Sequence, residues 1–304
     1  MASNQALLRH LAIGLAALVV AALVPAGRAE AAVSSCSISS SGVAFSPYDS
    51  QTRAAVDGAG TITVTCTGNG FSNNLSLHLT GGSTGSCSTS QMRNGSASLG
   101  YQIYRDASRL SAFCDGSNRL DISLDFSTGP TQVRTYTMFG RVLSGQNAAY
   151  GSYSDTLTVT LKQGGSTLAT TTAAISGSVA ASCTVSAGTL GFGTYSPSAA
   201  SLSTANLSVN CSSGAPYQVG LEGGQNASGG TRRMAGPAGS YLGYELYSNA
   251  ARTAAWGNGT SFGSRVAGTG TGAAQSLTVH GRIPAGQSPA AGSFADSVIV
   301  TVEY

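Results

Sequence analysis

Apolar and polar residues alternate with a period of two along most of this chain, in short runs broken by Gly, Ser, Asn and Pro. That pattern predicts short β-strands with one buried face, joined by tight turns. Ile62, Val64 and Cys66 fall on one face of such a strand, as do Leu207, Val209 and Cys211. Cys36 keeps phase with Ile38, and Cys183 with Ala181 and Val185, so these cysteines are predicted to face a core. The clearest strands close each half. Leu157, Val159 and Leu161 alternate with Thr156, Thr158 and Thr160, and Val298, Val300, Val302 and Tyr304 alternate with Ser297, Ile299, Thr301 and Glu303.

The halves repeat each other. Cys36 and Cys66 correspond to Cys183 and Cys211, and Leu99-Gly100-Tyr101-Gln102-Ile103-Tyr104 corresponds to Leu242-Gly243-Tyr244-Glu245-Leu246-Tyr247. Further on, Gly140-Arg141-Val142 with Gly145-Gln146 matches Gly281-Arg282-Ile283 with Gly286-Gln287, and Gly151-Ser152-Tyr153-Ser154-Asp155 matches Gly292-Ser293-Phe294-Ala295-Asp296. Because order and spacing agree, two homologous domains are predicted, over residues 32–174 and 175–304. Two antiparallel sheets in each make tandem immunoglobulin-like β-sandwiches the simplest all-β architecture.

Ahead of the first domain, Arg9 and His10 precede an apolar run from Leu11 to Val24, followed by Pro25 and a small-residue stretch ending Ala29-Glu30-Ala31. This is the order of a secretory signal, and the run is too short to cross a bilayer core of about 30 Å. Residues 1–31 are therefore predicted to be removed, with cleavage after Ala31 or, alternatively, after Ala29. In an oxidising compartment the six cysteines read as three disulfides. The repeat selects Cys36 with Cys66 and Cys183 with Cys211, which leaves Cys87 with Cys114 in the first half only. Zinc ligation needs closer pairs than these, so no metal is expected.

Composition narrows the classes further. Of 304 residues 41% are hydrophobic, only 9% are charged and 41 are Gly, which excludes a disordered or coiled-coil chain. The net charge is +3, Lys162 is the sole lysine, and no run of like charge occurs, so nucleic acid is not an expected partner.

No enzyme signature holds up. Gly81-Gly82-Ser83-Thr84-Gly85 fits G-x-S-x-G, but no helical pattern follows, so a plain loop is the better reading. His78 and His280 each sit in an alternating strand without a recognisably spaced partner. Gly268-Thr269-Gly270-Thr271-Gly272 lacks the Lys-Ser/Thr ending of a phosphate loop. Trp256 reads as a packing residue, with a sugar-stacking platform as the alternative, and sequons such as Asn74-Leu75-Ser76 are expected by chance in a Ser/Thr-rich chain. No cofactor is expected.

The paired cysteines, Cys183-Thr184-Val185-Ser186 ahead of Phe192-Gly193-Thr194-Tyr195, the L-G-Y-x-[IL]-Y segments, the G-R-[VI] strand with G-Q and the terminal alternating strands together resemble the spore coat protein U domain, which is also the pilin domain of archaic chaperone-usher pili. The resemblance implies a sandwich lacking one strand. A periplasmic chaperone fills the resulting groove, and after delivery at the outer-membrane usher an adjacent pilin replaces it by strand addition. On that basis Val298, Val300, Val302 and Tyr304 are expected to edge the groove of the second domain, and part of Thr167–Val179 to complete the first domain from within the chain. With cleavage after Ala31, only Ala32, Val33, Ser34 and Ser35 precede Cys36, too few for a donor strand of roughly ten residues. The expected role is a secreted, cell-surface tip adhesin serving surface attachment and biofilm formation; a structural coat or matrix protein is the alternative.

For adhesion, the resemblance points to apolar loops at the outer end of the first domain. The candidates are Phe45-Ser46-Pro47-Tyr48, Arg109-Leu110-Ser111-Ala112-Phe113 and Asn147-Ala148-Ala149-Tyr150, with Tyr48, Ala148, Ala149 and Tyr150 as the fingers. Phe45 and Phe113 read equally well as core residues, and Arg109 with Asp115 is an alternative polar pocket.

Overall fold

A computed structural model describes residues 33–85 and 90–304. The expected signal segment and Cys87 lie outside the described residues. No described helix is long and apolar enough to cross a membrane.

The period-two segments become strands. The first sandwich contains β1 (Val33–Ser40), β2 (Val43–Phe45), β3 (Val56–Gly68), β4 (Phe71–Gly81), β5 (Gln91–Asn94), β6 (Ala97–Tyr104), β7 (Leu120–Asp125), β8 (Thr131–Val142), β9 (Gly151–Gln163) and β10 (Ser166–Val179). The second contains β11 (Cys183–Ala187), β12 (Ser201–Cys211), β13 (Pro216–Leu221), β14 (Arg232–Ala235), β15 (Tyr241–Tyr247), β16 (Val266–Thr269), β17 (Ala274–Ile283) and β18 (Val300–Glu303).

Connectivity separates the two. In the first domain the hydrogen-bonded order is β10-β2-β3-β8-β6-β5-β9-β4-β7, with β1 on β3 and β10 also paired to β9. β10 thus pairs antiparallel with β9 from Ser166↔Gln163 to Val179↔Gly151, and parallel with β2 at Ile175↔Val43. It ties the two faces of the sandwich together and leaves neither β9 nor β2 as an edge. The second domain stays as two separate sheets, β11-β12-β17-β15-β14 and β16-β13-β18, with no counterpart of β10 among the described residues. The expected boundary between residues 174 and 175 needs correction, since it falls inside β10, which runs unbroken to Val179. A hairpin strand keeps pairing until its partner ends at Gly151, and that sets its length.

Each core follows the alternation. Leu75, Leu77, Leu79, Leu157, Val159 and Leu161 are buried in the first domain, and Val209, Val219, Leu221 and Trp256 in the second. Disulfides Cys36–Cys66 and Cys183–Cys211 each fasten the first strand of a domain to its neighbour, in matching register. Closing a loop of this length contributes about 3–4 kcal/mol on the chain-entropy estimate, a large share for a small Gly-rich sandwich. Cys114 is also disulfide-bonded.

The repeat extends to polar contacts. The Tyr101 hydroxyl donates to Asp155 at 2.6 Å and that of Tyr244 to Asp296 at 2.7 Å. The Gln146 amide holds Gly100, and Gln287 holds Gly243 in the same way. Burial, with the facing carboxylate second, pushes both tyrosine pKa values up, so the phenols stay protonated donors.

The domains meet end to end. Tyr150 N–H donates to Ser213 O at 2.7 Å, and the Ser50 hydroxyl donates to the Ser212 hydroxyl at 2.9 Å in a buried position. Ser212 also donates to Ala180 O in the connecting segment. At the opposite end of the first domain, Phe126 N–H donates to Gly70 O, Gly68 N–H to Pro130 O and Gly164 N–H to Asn74 O, gathering three turns there.

Candidate functional site

Among the described residues the second domain has no counterpart of β10. β18 pairs with β13 from Leu221↔Val300 to Gln218↔Glu303, and its other edge is hydrogen-bonded to no strand among the described residues. Val298, Val300 and Val302 are half-buried, whereas Leu157, Val159 and Leu161, their counterparts in the repeat, are at most 3% exposed. Tyr304 is exposed at the end of the same strand.

The opposite wall was not picked out from the sequence. Leu190, Phe192 and Tyr195 pack against the second core but are only half-buried. They occupy the places of Val43, Phe45 and Tyr48, which are buried in the first domain. The equivalence rests on shared contacts. Phe45 lies 6.2 Å from the Tyr101 ring and Phe192 lies 6.3 Å from the Tyr244 ring, while the hydroxyls of Tyr48 and Tyr195 accept from the backbone N–H of Gln146 and Gln287. The repeat carries the signal, since each triplet stands 7, 9 and 12 residues after the first cysteine of its domain.

Both walls are less buried in the second domain, at the place that β10 takes in the first. Fully covering a valine is worth about 1.5–3 kcal/mol, so an uncovered row of this kind favours an added strand. At the end of β18 the Glu303 carboxylate is ion-paired to Arg265.

The adhesive-loop expectation needs correction. Tyr48 is wholly buried, its hydroxyl donating to Gln146 O at 3.0 Å, and Ala148 is buried as well. Neither can project as a finger. Ala149 is half-buried and Tyr150 exposed, but this loop lies at the domain junction and not at the outer end. A polypeptide strand reverses end with each crossing, and β9 starts at the junction, so the loop before it must lie there too. Phe45 and Phe113 are buried, which decides for the core reading, and Leu110 is exposed. The outer end instead carries Phe71, 56% exposed, beside the Gly70 and Gly164-Gly165 turns.

Arg109 and Asp115 do not share a pocket. Arg109 pairs with Asp57 at 3.3 Å and covers the Phe139 ring, while Asp115 caps the short turn at Gly116–Asn118 and contacts His78 Nδ1 at 2.5 Å. His78, read from sequence as partnerless, also meets the Ser76 hydroxyl through Nε2 at 2.8 Å. Its carboxylate partner is distant in sequence and comes from a loop laid over β4, which spacing cannot reveal. Trp256 is buried and donates to Val219 O, as a packing residue. Ser83 lies in a loop, its N–H donating to Asp155. Among the described residues no cluster of His, Cys, Asp and Glu could hold a metal ion.

The Spore Coat Protein U domain family matches residues 22–160 and again 169–301, and the chain belongs to that family. Protein U of Myxococcus xanthus is 35% identical over 132 residues, covering 38% of this chain and 72% of that protein. Two solved structures are similar at lower identity. One is the chaperone–tip adhesion subunit pre-assembly complex of archaic chaperone-usher Csu pili from Acinetobacter baumannii, at 18% identity over 79% of this chain and 89% of that one, with a TM-score of 0.44. The other is the CupB6 tip adhesin from Pseudomonas aeruginosa, at 13% identity over 88% and 93% of the two chains, with a TM-score of 0.35.

Proposed function

We propose that this protein is the adhesive end subunit of a surface fibre built by strand donation, without catalysis. The observation that carries the reading is the contrast between the two sandwiches. The first supplies its own closing strand, whereas the second leaves Val298, Val300 and Val302 half-buried along an unpaired edge. In this reading a periplasmic chaperone first covers the groove, and at the outer-membrane usher an adjacent pilin takes its place. The incoming strand adopts the course of β10, antiparallel to β18, with residues opposite Asp296 and Val298 standing where Ile175 and Ala173 face Asp155 and Leu157.

Placement at the fibre end fits the self-closed first sandwich, whose β10 already takes the course an added strand would follow. Val33 pairs with Gly68 and Ser35 with Thr67, so these residues belong to the first sheet. Phe71 and the turns around it then face outward and make the contact surface, which would serve attachment and biofilm formation.

The test is completion in cis. Residues 180–304 expressed alone should aggregate, and the same segment followed by a flexible linker and a copy of Ser166–Val179 should be a soluble monomer. Solubility of both forms would remove the strand-donation reading. Deletion of the whole protein should leave fibres that no longer attach; loss of a surface layer would indicate a coat protein instead.

A further inference from the structure

The second domain carries a cleft of about 260 Å³, lined among others by Thr231, Arg232, Glu245, Tyr247 and Phe262. It lies at the β14 edge of the larger sheet, with β11 at the other edge, so it is separate from the strand groove.

Arg232 is the unusual member. Its side chain is 3% exposed, and its guanidinium donates to three carbonyls, Nε to Glu222 at 2.9 Å and Nη2 to Leu221 and Trp256 at 2.8 and 3.0 Å. No described carboxylate pairs with it within 4 Å, and Nη1 makes no hydrogen bond to a described residue. The neighbouring acids are engaged elsewhere. Asp296 accepts from Tyr244 and Asn226, and the Glu222 carboxylate accepts from Asn258. A buried cation with only neutral partners is costly, and an anion at its remaining edge offsets that cost. The sandwich does not require the charge, because the place opposite Tyr244 held by Arg232 is held opposite Tyr101 by Ser90.

The rest of the lining selects among anions. The Phe262 ring stacks on the guanidinium, 4.9 Å from its carbon. Tyr247 adds a second aromatic surface and donates its hydroxyl to Glu245 at 2.7 Å. Glu245 lies 3.9 Å from Arg282, a loose exposed pair that only partly offsets its charge, so it still disfavours a compact multivalent anion while accepting hydrogen bonds from hydroxyl groups. The volume lies below the range of roughly 300–1,000 Å³ of sites for drug-sized ligands, which suits one sugar ring.

We propose that this cleft binds a monosaccharide acid, its carboxylate meeting the free Nη1 edge of Arg232 and its ring hydroxyls donating to Glu245. This goes beyond strand donation and adhesion through the first domain, and either can fail without the other.

The test is titration of the whole secreted chain, its second domain completed by a linked C-terminal copy of Ser166–Val179, with D-galacturonate, with D-galactose and inorganic phosphate as controls, followed by NMR. Galacturonate should bind saturably, and galactose at least about tenfold more weakly, the scale of one charge-assisted contact. Arg232→Lys should abolish binding. Because that change also disturbs three carbonyl contacts, Glu245→Gln is the second variant. It should weaken galacturonate while raising affinity for phosphate, with the melting temperature unchanged. Equal binding of the two sugars, displacement of galacturonate by equimolar phosphate, or a folded chain without substitutions that binds neither sugar would overturn the proposal.

Discussion

Val159 and Val300 hold the same place in the two sandwiches, yet Val159 is wholly buried and Val300 is half-exposed. The cover over Val159 is β10, where Thr171 stands opposite it. The two modules therefore differ by one strand and not by a different core.

Substitution at these sites should separate folding from assembly. Burying an unpaired aspartate costs several kcal/mol, so Val159→Asp should prevent folding of the first domain. Val300→Asp meets water in the free chain and should leave the first domain's thermal unfolding unchanged while abolishing co-purification with the chaperone. Retained co-purification would show that the β18 edge is not the docking surface.

The seat of β10 gives a second expectation. Gly42 has φ 70°, and a Cβ there would lie 2.2 Å from Ala174 O. Gly42→Ala should push β10 off its seat and lower the stability of the first domain by about 1–3 kcal/mol, measurable by urea unfolding. Residues 32–165 should be insoluble alone, and residues 32–180 soluble and monomeric by size-exclusion chromatography. The reverse pattern would mean that β10 does not complete this domain.

The contact face can be tested by exposed side chains at opposite ends of the first domain. Phe71→Ser should reduce attachment of fibre-bearing cells to a plastic surface, with fibres still visible by microscopy. Tyr150→Ala, at the domain junction, should leave attachment intact. Equal loss in both would point to joint rigidity and not to an adhesive end.

Acid should weaken the first domain through three carboxylates. Arg141 holds the Asp57 pKa below its ordinary value, the Ser108 hydroxyl and the backbone N–H of Leu110 hold that of Asp106 down to about 2, and the Gly116 N–H with His78 holds that of Asp115 down. A folded pKa below the unfolded one means that the stabilisation is complete above the unfolded value, about 3.9, and is lost as pH falls through the folded values. The melting temperature should therefore be insensitive to these groups from pH 5 upward and fall below about pH 4. Replacing Asp115 with Asn should flatten part of that fall; an unchanged acid profile would exclude its role.

The repeat made much of this legible in advance. Cys36 with Cys66 and Cys183 with Cys211, the L-G-Y segments and the terminal strands fixed two modules, because a period of two and a recurring spacing are local properties. Thr167–Val179 could be read as a closing strand for the same reason. The spacing also pairs Leu190, Phe192 and Tyr195 with Val43, Phe45 and Tyr48, but only the packing shows that the first set is half-buried and the second buried.

Sequence alone therefore determined strand phase, the Cys36–Cys66 and Cys183–Cys211 bridges and the kinship of the two halves, all of which follow from alternation and repetition along one chain. Only the tertiary structure decided that Tyr48 is a core residue, that Tyr150 faces the second domain, that Asp115 reaches His78 and that Arg232 is buried without a carboxylate. Those outcomes depend on which end of the sandwich a loop occupies and on which strand covers which face. They are set by packing between residues far apart in sequence, where alternation carries no information.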